Sequence, residues 1–374
     1  SYGLMIHGGG RARMQAGLQY VVMNLAGSTL FLFALGTLYA STGTLNIADL
    51  AVKVREIPVE EAALVRVAAI LLMIVFAIKA ALFPVQFWLP NTYSHAPAPV
   101  AAMFAIMTKV GAYAIIRVHA VVFGPDVAVV GDLPGAWLFP AAVVTMVIGA
   151  LGVLGARRLM PLLSFSVIGS MGTMMIAVSA FTPYATTAAL YYLVHSTIAA
   201  AALFLLADLV VSRRAGGDGL DTRPPTAQNG LFAALFFAAA IGMAGMPPLS
   251  GFLAKLIVLD AVKSTPQMAL SFAVILGGSL LIIVGFARAG STLFWKSTGE
   301  LPDSEDPAAD AVETDPPAPA SALQVAPTMA ALGLLGLLAV FAGPVTGYLE
   351  SAAGQIFDPS GYVEAVLGPA KEEN

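Results

Sequence analysis

Long apolar runs separated by short polar segments dominate the hydropathy pattern of this chain. Nine runs are long enough to be membrane-spanning helices, because crossing a hydrocarbon core of about 30 Å takes roughly 20 apolar residues. No stretch of about ten residues alternates apolar and polar positions as a barrel strand does, so the spans are predicted to be helices. The runs cover residues 17–40, 64–88, 98–122, 136–155, 160–181, 186–211, 230–262, 268–294 and 323–347.

Two of these apolar runs are interrupted, and each carries a lysine. Lys79 lies in an apolar run that ends at Pro84, and Lys255 follows a second break, which contains Pro247 and Pro248. A charge at mid-membrane depth costs roughly 2.5–3.5 kcal/mol on insertion scales, so a lysine kept there faces a polar cavity. Proline removes a backbone donor and frees a carbonyl, which can hold water or a cation, although a kink for packing is the alternative. Interrupted helices with buried charges are typical of the ion path of a secondary transporter.

Other ionisable side chains also lie inside the predicted spans. Burial disfavours an ammonium group, so a buried lysine such as Lys109 can alternate between its charged and neutral forms. His195 can titrate near physiological pH, or it is a packing histidine. Arg288 does not readily lose its proton, which favours a fixed structural or electrostatic role. His95, in a proline-rich segment, is predicted to open the next helix and to be structural.

These residues define a predicted proton relay with supporting positions. The relay consists of Lys79, Lys109, His195 and Lys255, and the supporting residues are Pro84, His95, Pro247, Pro248 and Arg288.

Carboxylates that could neutralise the buried cations are scarce in the predicted spans. Asp208 and Asp260 are the candidates, and both lie near span ends. Because an unpaired buried charge is expensive, the lysines are predicted to be partly neutral or hydrated, or to pair with a carboxylate from elsewhere.

Composition supports a polytopic membrane protein. The mean hydropathy is +0.85 and charged residues make up 11% of the chain, whereas soluble globular domains contain about 25%. The apolar runs leave no room for a soluble enzyme domain, and a nucleic-acid role is not expected. The absence of cysteine excludes disulfides, thiolate metal sites and iron–sulfur clusters, so we expect no cofactor and no metal.

The polar segments indicate orientation and boundaries. Basic residues slightly favour the side that holds the chain start, which is therefore predicted to be cytoplasmic. Loops 216–228 and 299–319 are rich in polar residues and are predicted to be flexible. The amphipathic tail 349–367 is predicted to lie in the membrane interface or against a neighbouring subunit. Ser1 opens an apolar helix stub, so we interpret the chain as truncated at its N-terminus.

The motifs at the two breaks carry a family resemblance. Three segments resemble the antiporter-like subunits shared by respiratory complex I and multisubunit cation/proton antiporters. They are Lys79-Ala80-Ala81-Leu82-Phe83-Pro84, His95-Ala96-Pro97-Ala98-Pro99-Val100, and the segment from Gly245 to Phe252 with Lys255. The resemblance is strongest to the D subunits of the Mrp (Pha) Na⁺ or K⁺/H⁺ antiporters, and it runs over nearly the whole chain.

The resemblance implies a fold of about fourteen helices with two inverted five-helix repeats. By this resemblance, Lys79 matches the lysine of the first broken helix, Lys109 the next relay lysine, His195 the histidine of the second repeat and Lys255 the lysine of the second broken helix. The family's glutamate partner of Lys79 would fall just upstream of Ser1, together with the earlier helices.

The sequence therefore predicts an all-α polytopic membrane protein with about nine transmembrane helices plus a helix stub. Residues 1–124 would form the remainder of the first repeat, with the stub and three helices. Residues 125–298 would form the second five-helix repeat. Residues 299–374 would form an acidic loop, the final transmembrane helix and the amphipathic tail.

The predicted function is that of a membrane subunit of a multisubunit monovalent cation/proton antiporter in the bacterial inner membrane. Protons would move through the hydrated Lys/His relay, coupled to efflux of Na⁺ or K⁺. The expected partners are other membrane subunits of the complex, H⁺, Na⁺ or K⁺, and the lipid bilayer. The alternatives are a proton-translocating membrane subunit of an NADH–quinone oxidoreductase or membrane-bound hydrogenase, and a structural scaffold without transport.

Overall fold

A computed structural model describes residues 2–131, 133–214, 217–296 and 319–368. Of the predicted acidic loop 299–319, all but the last residue lies outside the described residues, as does the end of the tail. A 3-10 turn covers Val59–Glu61, and a π-helical turn covers Ser291–Trp295. The helices are α1 (Tyr2–Ile6), α2 (Arg11–Thr42), α3 (Ile47–Glu56), α4 (Ala63–Ala80), α5 (Trp88–His95), α6 (Ala98–Val121), α7 (Leu133–Gly155), α8 (Leu159–Val178), α9 (Pro183–Val211), α10 (Asn229–Ala244), α11 (Ser250–Val262), α12 (Met268–Gly290), α13 (Ala322–Val340), α14 (Ala342–Phe357) and α15 (Ser360–Leu367).

The helices confirm the predicted all-α membrane fold and refine the number of spans. Within the described ranges, eight helices are long and apolar enough to cross a membrane by length and composition, and α10 is a shorter apolar helix. The predicted span 230–262 is not one long helix. It consists of the half-helices α10 and α11, each of which is too short to cross a membrane alone.

The first predicted interruption also divides a helix. The predicted span 64–88 ends as a helix at Ala80, and α5 resumes at Trp88. Ala81 takes a left-handed conformation with φ 53°, and its N–H bonds back to the carbonyl of Ile78. The indole N–H of Trp88 donates to the same carbonyl at 2.9 Å. Side-chain and backbone donors therefore satisfy the end of α4 inside the bundle.

The two broken helices run in opposite directions. Four helices, α6 to α9, lie between the pair α4–α5 and the pair α10–α11. If each of the four crosses the membrane once, α4–α5 and α10–α11 cross it in opposite senses. This is the arrangement that inverted repeats require.

Basic side chains mark the two polar ends of the bundle. At the end predicted to be cytoplasmic, Arg13 donates to the carbonyl of His95 at 2.8 Å. Arg158 pairs there with Asp218 at 2.8 Å. The described part of the predicted flexible loop 216–228 is therefore anchored, and its Leu220 N–H also bonds to the carbonyl of Arg157.

At the opposite end, the amphipathic helices pack on one another. Arg55 of α3 pairs with Asp126 at 2.9 Å, and this guanidinium lowers the pKa of the Asp126 carboxyl by hydrogen bonding. Helix α15 packs against α3, and the guanidinium of Arg117 lies 4.7 Å from the ring centroid of Tyr362. The tail thus contacts its own chain, a placement that the sequence analysis did not predict.

Helix α8 forms the centre of the bundle and packs closely on α7. Nearly all of its residues are buried. A Cβ on Gly149 of α7 would lie 2.1 Å from the backbone nitrogen of Gly169, and a Cβ on Gly172 would lie 2.4 Å from that of Met146. Glycine at these positions lets the two backbones touch, as is common where membrane helices pack.

We predict that Gly149→Ala destabilises the protein because its methyl group must push α7 away from α8. Overpacking of this kind costs about 1–3 kcal/mol, so the unfolding temperature in detergent should fall by several degrees. The matched control is Gly155→Ala in the same helix, where an added Cβ meets nothing within 4 Å. Equal unfolding temperatures for the two variants would contradict the close packing of α7 on α8.

Candidate functional site

The four residues of the predicted relay lie on helices that contact one another in series. Lys79 is on α4, Lys109 on α6, His195 on α9 and Lys255 on α11. Helix α6 packs against both α4 and α9, and α9 packs against α11. The helices that carry these four residues therefore lie side by side across the bundle in chain order, and we refer to the four residues as the row.

Lys79 lies in the last turn of α4, directly before the first break. Its side chain is half-buried, and its ammonium group donates to the side-chain oxygen of Asn24 on α2. Helix α6 passes so close to the break that a Cβ on Gly111 would lie 2.5 Å from the backbone nitrogen of Ala80. The lysine is thus bound by a neutral amide beside a tight helix crossing.

Lys109 is the most isolated cation of the row. It is 1% exposed, and its Nζ has no hydrogen-bond partner among the described residues. Desolvation of an unpaired ammonium costs several kcal/mol. The group therefore needs water beside it or must spend part of its time neutral, which is a suitable property for a group that receives and passes on protons.

His195 occupies the middle of the row and is 1% exposed. Its Nδ1 lies 2.9 Å from the hydroxyl oxygen of Ser250, the first residue of α11. Lys109 and Lys255 both lie within electrostatic range of its ring. The imidazole is thus close enough to both buried lysines for their charges to act on it.

Lys255 binds the backbone that the second break exposes. Its Nζ donates to the carbonyl of Ala244 at 2.6 Å and to the hydroxyl of Ser279 at 2.7 Å. In a continuous helix, the carbonyl of Ala244 would accept from the residue four positions later, which is Pro248 and has no N–H. The ammonium takes the place of that missing donor, which explains why the break and the lysine occur together.

The close fit at this break depends on a glycine. Gly245 has φ 81°, in the left-handed region that favours glycine. A Cβ at this position would lie 2.6 Å from Cδ and 3.1 Å from Nζ of Lys255. Any larger residue would displace the lysine from the carbonyl that it binds.

Acidic groups lie at the ends of the bundle. The ion pairs among the described residues do not include Lys79, Lys109 or Lys255. Asp260 pairs with Lys263 at 2.6 Å and accepts a hydrogen bond from Tyr184. In the described parts of the chain, the buried lysines therefore bind neutral oxygens or none.

One of two supporting residues, His95, is placed differently from the prediction. Arg288 lies in its predicted span, α12, with an accessible side chain that donates to the carbonyl of Ala156 at 2.5 Å. His95 is the last residue of α5 and does not open α6, which begins at Ala98. The prolines after His95 start the new helix, so the histidine ends the old one and lines an open cavity of about 670 Å³ at the predicted cytoplasmic end.

Three polar partners of the relay were missed by the sequence analysis. Asn24, Ser250 and Ser279 are single polar residues in apolar helices, and no spacing distinguishes them from serines that bond to their own helix. Their contacts with side chains on other helices identify these three residues as partners of the relay residues.

Comparison with known proteins places this arrangement among related chains. A family model described as "NADH:quinone oxidoreductase/Mrp antiporter, TM" matches residues 1–281. The D subunit of a probable K⁺/H⁺ antiporter of Rhizobium meliloti (strain 1021) is 34% identical over 397 residues, covering 98% of this chain and 71% of the relative. The D subunit of the Na⁺/H⁺ antiporter of Bacillus subtilis (strain 168) is 34% identical over 374 residues, with 98% and 71% covered.

A solved structure shows the same fold. A chain in the structure of the Mrp complex from Dietzia sp. DQ12-45-1b matches with a TM-score of 0.84 at 30% identity. The match covers 98% of this chain and 73% of that one.

We predict that Lys109→Met raises the stability of the protein or leaves it unchanged. Methionine fills a similar volume and removes an ammonium group that is buried without a partner among the described residues. Because even buried ion pairs can often be replaced by apolar residues without loss of stability, the loss of an unpaired ammonium should not destabilise the protein. The measurement is the unfolding temperature in detergent, with Lys53→Met, at a partly exposed position, as the control. A clear loss of stability in Lys109→Met alone would show that Lys109 is a structural residue.

Proposed function

Since the chain belongs to the NADH:quinone oxidoreductase/Mrp antiporter transmembrane family, we propose that it is a membrane subunit of a multisubunit monovalent cation/proton antiporter. Support comes from the similarity to D subunits of such antiporters, which extends over 98% of this chain. The cargo is H⁺ exchanged for Na⁺ or K⁺. The proposed cellular site is the bacterial inner membrane, where the other membrane subunits of the complex are its partners.

The observation that carries the mechanism is the row of buried basic groups on helices in contact. Lys79, Lys109, His195 and Lys255 lie on α4, α6, α9 and α11, and these helices pack in series. Neutral partners bind an ammonium less strongly than a carboxylate would, so a proton can leave and return. We assign these four residues to a proton relay across the bundle.

Water has to complete this relay. Lys109 has no described protein partner, so the proton that it gives or receives travels through water beside it. The two helix breaks supply polar backbone at membrane depth, which is tolerated where it lines a hydrated cavity. Proton movement along the row would then drive efflux of the monovalent cation through the complex.

The relay spans the two proposed repeats. We assign residues 1–124 to the first repeat, residues 125–298 to the second, and residues 299–374 to the loop, final helix and tail. The opposite directions of the two broken helices support this division. Lys79 and Lys109 belong to the first repeat, and His195 and Lys255 to the second, so a proton that passes along the row moves from one repeat to the other.

The alternative is a proton-translocating membrane subunit of an NADH–quinone oxidoreductase or a membrane-bound hydrogenase. The description of the matching family covers both antiporters and the quinone oxidoreductase. The same relay would carry protons in an antiporter or in a redox-driven pump, because the two complexes differ only in the source of the energy that drives transport. Whether added cations or electron transfer change the proton gradient separates the two functions.

We predict that Lys79→Ala and Lys255→Ala each abolish cation-dependent proton movement. The protein is co-expressed with its companion subunits in an antiporter-deficient bacterial host, and collapse of the pH gradient is measured in everted vesicles after addition of Na⁺ or K⁺. Each variant should lose at least about 90% of the response, since loss of one group breaks a serial relay. Lys53→Ala is the control, because Lys53 is partly exposed and pairs with Asp49 outside the row.

Two results would contradict the proposal. If both lysine variants matched the wild type while the complex assembled normally, the row would not carry protons. If no cation evoked a response in the wild type but NADH or hydrogen oxidation drove a proton gradient that depended on Lys79, the protein would belong to a redox-driven pump.

A further inference from the structure

Ser250 is the only described side chain that hydrogen-bonds to Nδ1 of His195, at 2.9 Å. The serine is 0% exposed and the histidine 1% exposed, so bulk water does not compete for this bond. The bond connects α9 to the first residue of α11, the half-helix that also carries Lys255. It is therefore a direct link between the histidine and the element that holds the last lysine of the row.

Ser250 is the first residue of α11 and directly follows the N-cap residue Leu249. Serine at a helix start commonly accepts a hydrogen bond from a backbone N–H of the first turn. Helix α11 has no side-chain cap. The hydroxyl of Ser250 is directed across to His195 instead, which is the arrangement expected if its purpose lies with the imidazole.

Neighbouring serines behave differently. Ser196, next to the histidine, donates to the carbonyl of Leu193 in its own helix, and Ser166 donates to that of Leu163. Such local bonds satisfy a buried hydroxyl without reaching another helix. Ser250 departs from this pattern.

The other ring nitrogen of His195 faces the opposite half of the break. A Cβ built on Gly251 would lie 2.9 Å from Nε2 and 2.0 Å from the carbonyl oxygen of Gly242 at the end of α10. The carbonyl of Gly242 therefore lies on this side of the ring, near Nε2. An acceptor oxygen on the Nε2 side favours the tautomer with the hydrogen on Nε2, in which Nδ1 accepts from the hydroxyl of Ser250.

We propose that Ser250 is a positioning residue of the relay, which holds His195 in the tautomer with the hydrogen on Nε2 and keeps Nδ1 as the proton-accepting atom. This inference rests on the proposed function, because it names a further residue of the same relay. Serine hydroxyls can both donate and accept. Ser250 therefore stabilises the neutral ring by donating and the protonated ring by accepting, after a rotation of its hydroxyl hydrogen.

The proton balance of this step is simple. Nδ1 forms an N–H bond as the ammonium on the Lys109 side loses one, and the ring becomes an imidazolium. It then loses that proton toward the neutral amine of Lys255, which becomes an ammonium. Lys109 from α6, Lys255 from α11 and Tyr192 from α9 are the described titratable groups that face this ring.

The first test compares transport rates in vesicles that contain the complete complex. Ser250→Ala should slow cation-dependent proton movement by at least about tenfold, because a ring free to adopt the wrong tautomer is a poor proton acceptor. The apparent affinity for the cation and the assembly of the complex should not change. Ser196→Ala, which removes a buried hydroxyl one residue from His195, should keep the wild-type rate, and Ser250→Thr, which restores the hydroxyl, should recover most of it.

A second readout separates positioning from structural support. If proton transfer at His195 becomes rate-limiting in Ser250→Ala, the ratio of the rates in H₂O and D₂O should rise at least twofold over the wild type. An unchanged ratio, or a slow rate explained by poor assembly, would overturn the inference.

A third readout does not depend on transport. Nitrogen NMR of the ¹⁵N-histidine-labelled complex, with the His195 signals assigned by their loss in His195→Gln, should show one tautomer in the wild type and a mixture in Ser250→Ala. The same single tautomer in both would refute the role of Ser250, even if the lysine variants had confirmed antiport. If the wild type showed no antiport, the proposed function would be wrong. The tautomer measurement would still test the role of Ser250, because it does not depend on transport.

Discussion

Burial of lysine ammonium groups among neutral partners is the constraint on which this structure depends. Taking an ammonium out of water costs several kcal/mol, and a carboxylate is the usual compensation. Lys79 binds an amide oxygen, Lys255 binds a carbonyl and a hydroxyl, and Lys109 has no described protein partner. The charged form of each lysine is therefore only weakly stabilised. This lowers the free energy of unfolding and makes it easier for the ammonium groups to lose and regain a proton.

The helix breaks follow from the same constraint. A continuous membrane helix uses every carbonyl internally and has none to offer a cation. Pro248 leaves the carbonyl of Ala244 without its helical donor, and the ammonium of Lys255 binds there because Gly245 leaves it space. At the first break, the indole of Trp88 binds a carbonyl of α4, and Lys79 binds α2 instead. The two breaks are therefore related in form but not in how they hold their lysines.

The sequence predicted the features that depend on composition or on a local rule. Apolar length predicted the spans and the prolines predicted the breaks. The isolated lysines indicated the candidate site, because a charge departs from the surrounding apolar pattern. Asn24 and Ser279 could not be predicted, since their importance arises from helix contacts between distant parts of the chain. The accessible surface of the Arg288 side chain could not be predicted either. An apolar run does not show which face of a helix meets a neighbour, and Arg288 lies on an exposed face.

The central claim is that the buried lysines exchange protons, and nitrogen NMR of the lysine side chains tests it most directly. The complex is labelled with ¹⁵N at the lysine Nζ atoms and reconstituted in lipid bilayers at neutral pH, where the ammonium and amine forms give separate signals. The account predicts an amine signal that disappears when Lys79, Lys109 and Lys255 are all replaced by methionine, and that remains when the partly exposed Lys53 is replaced. Ammonium signals alone in the wild type would contradict a proton relay through these residues.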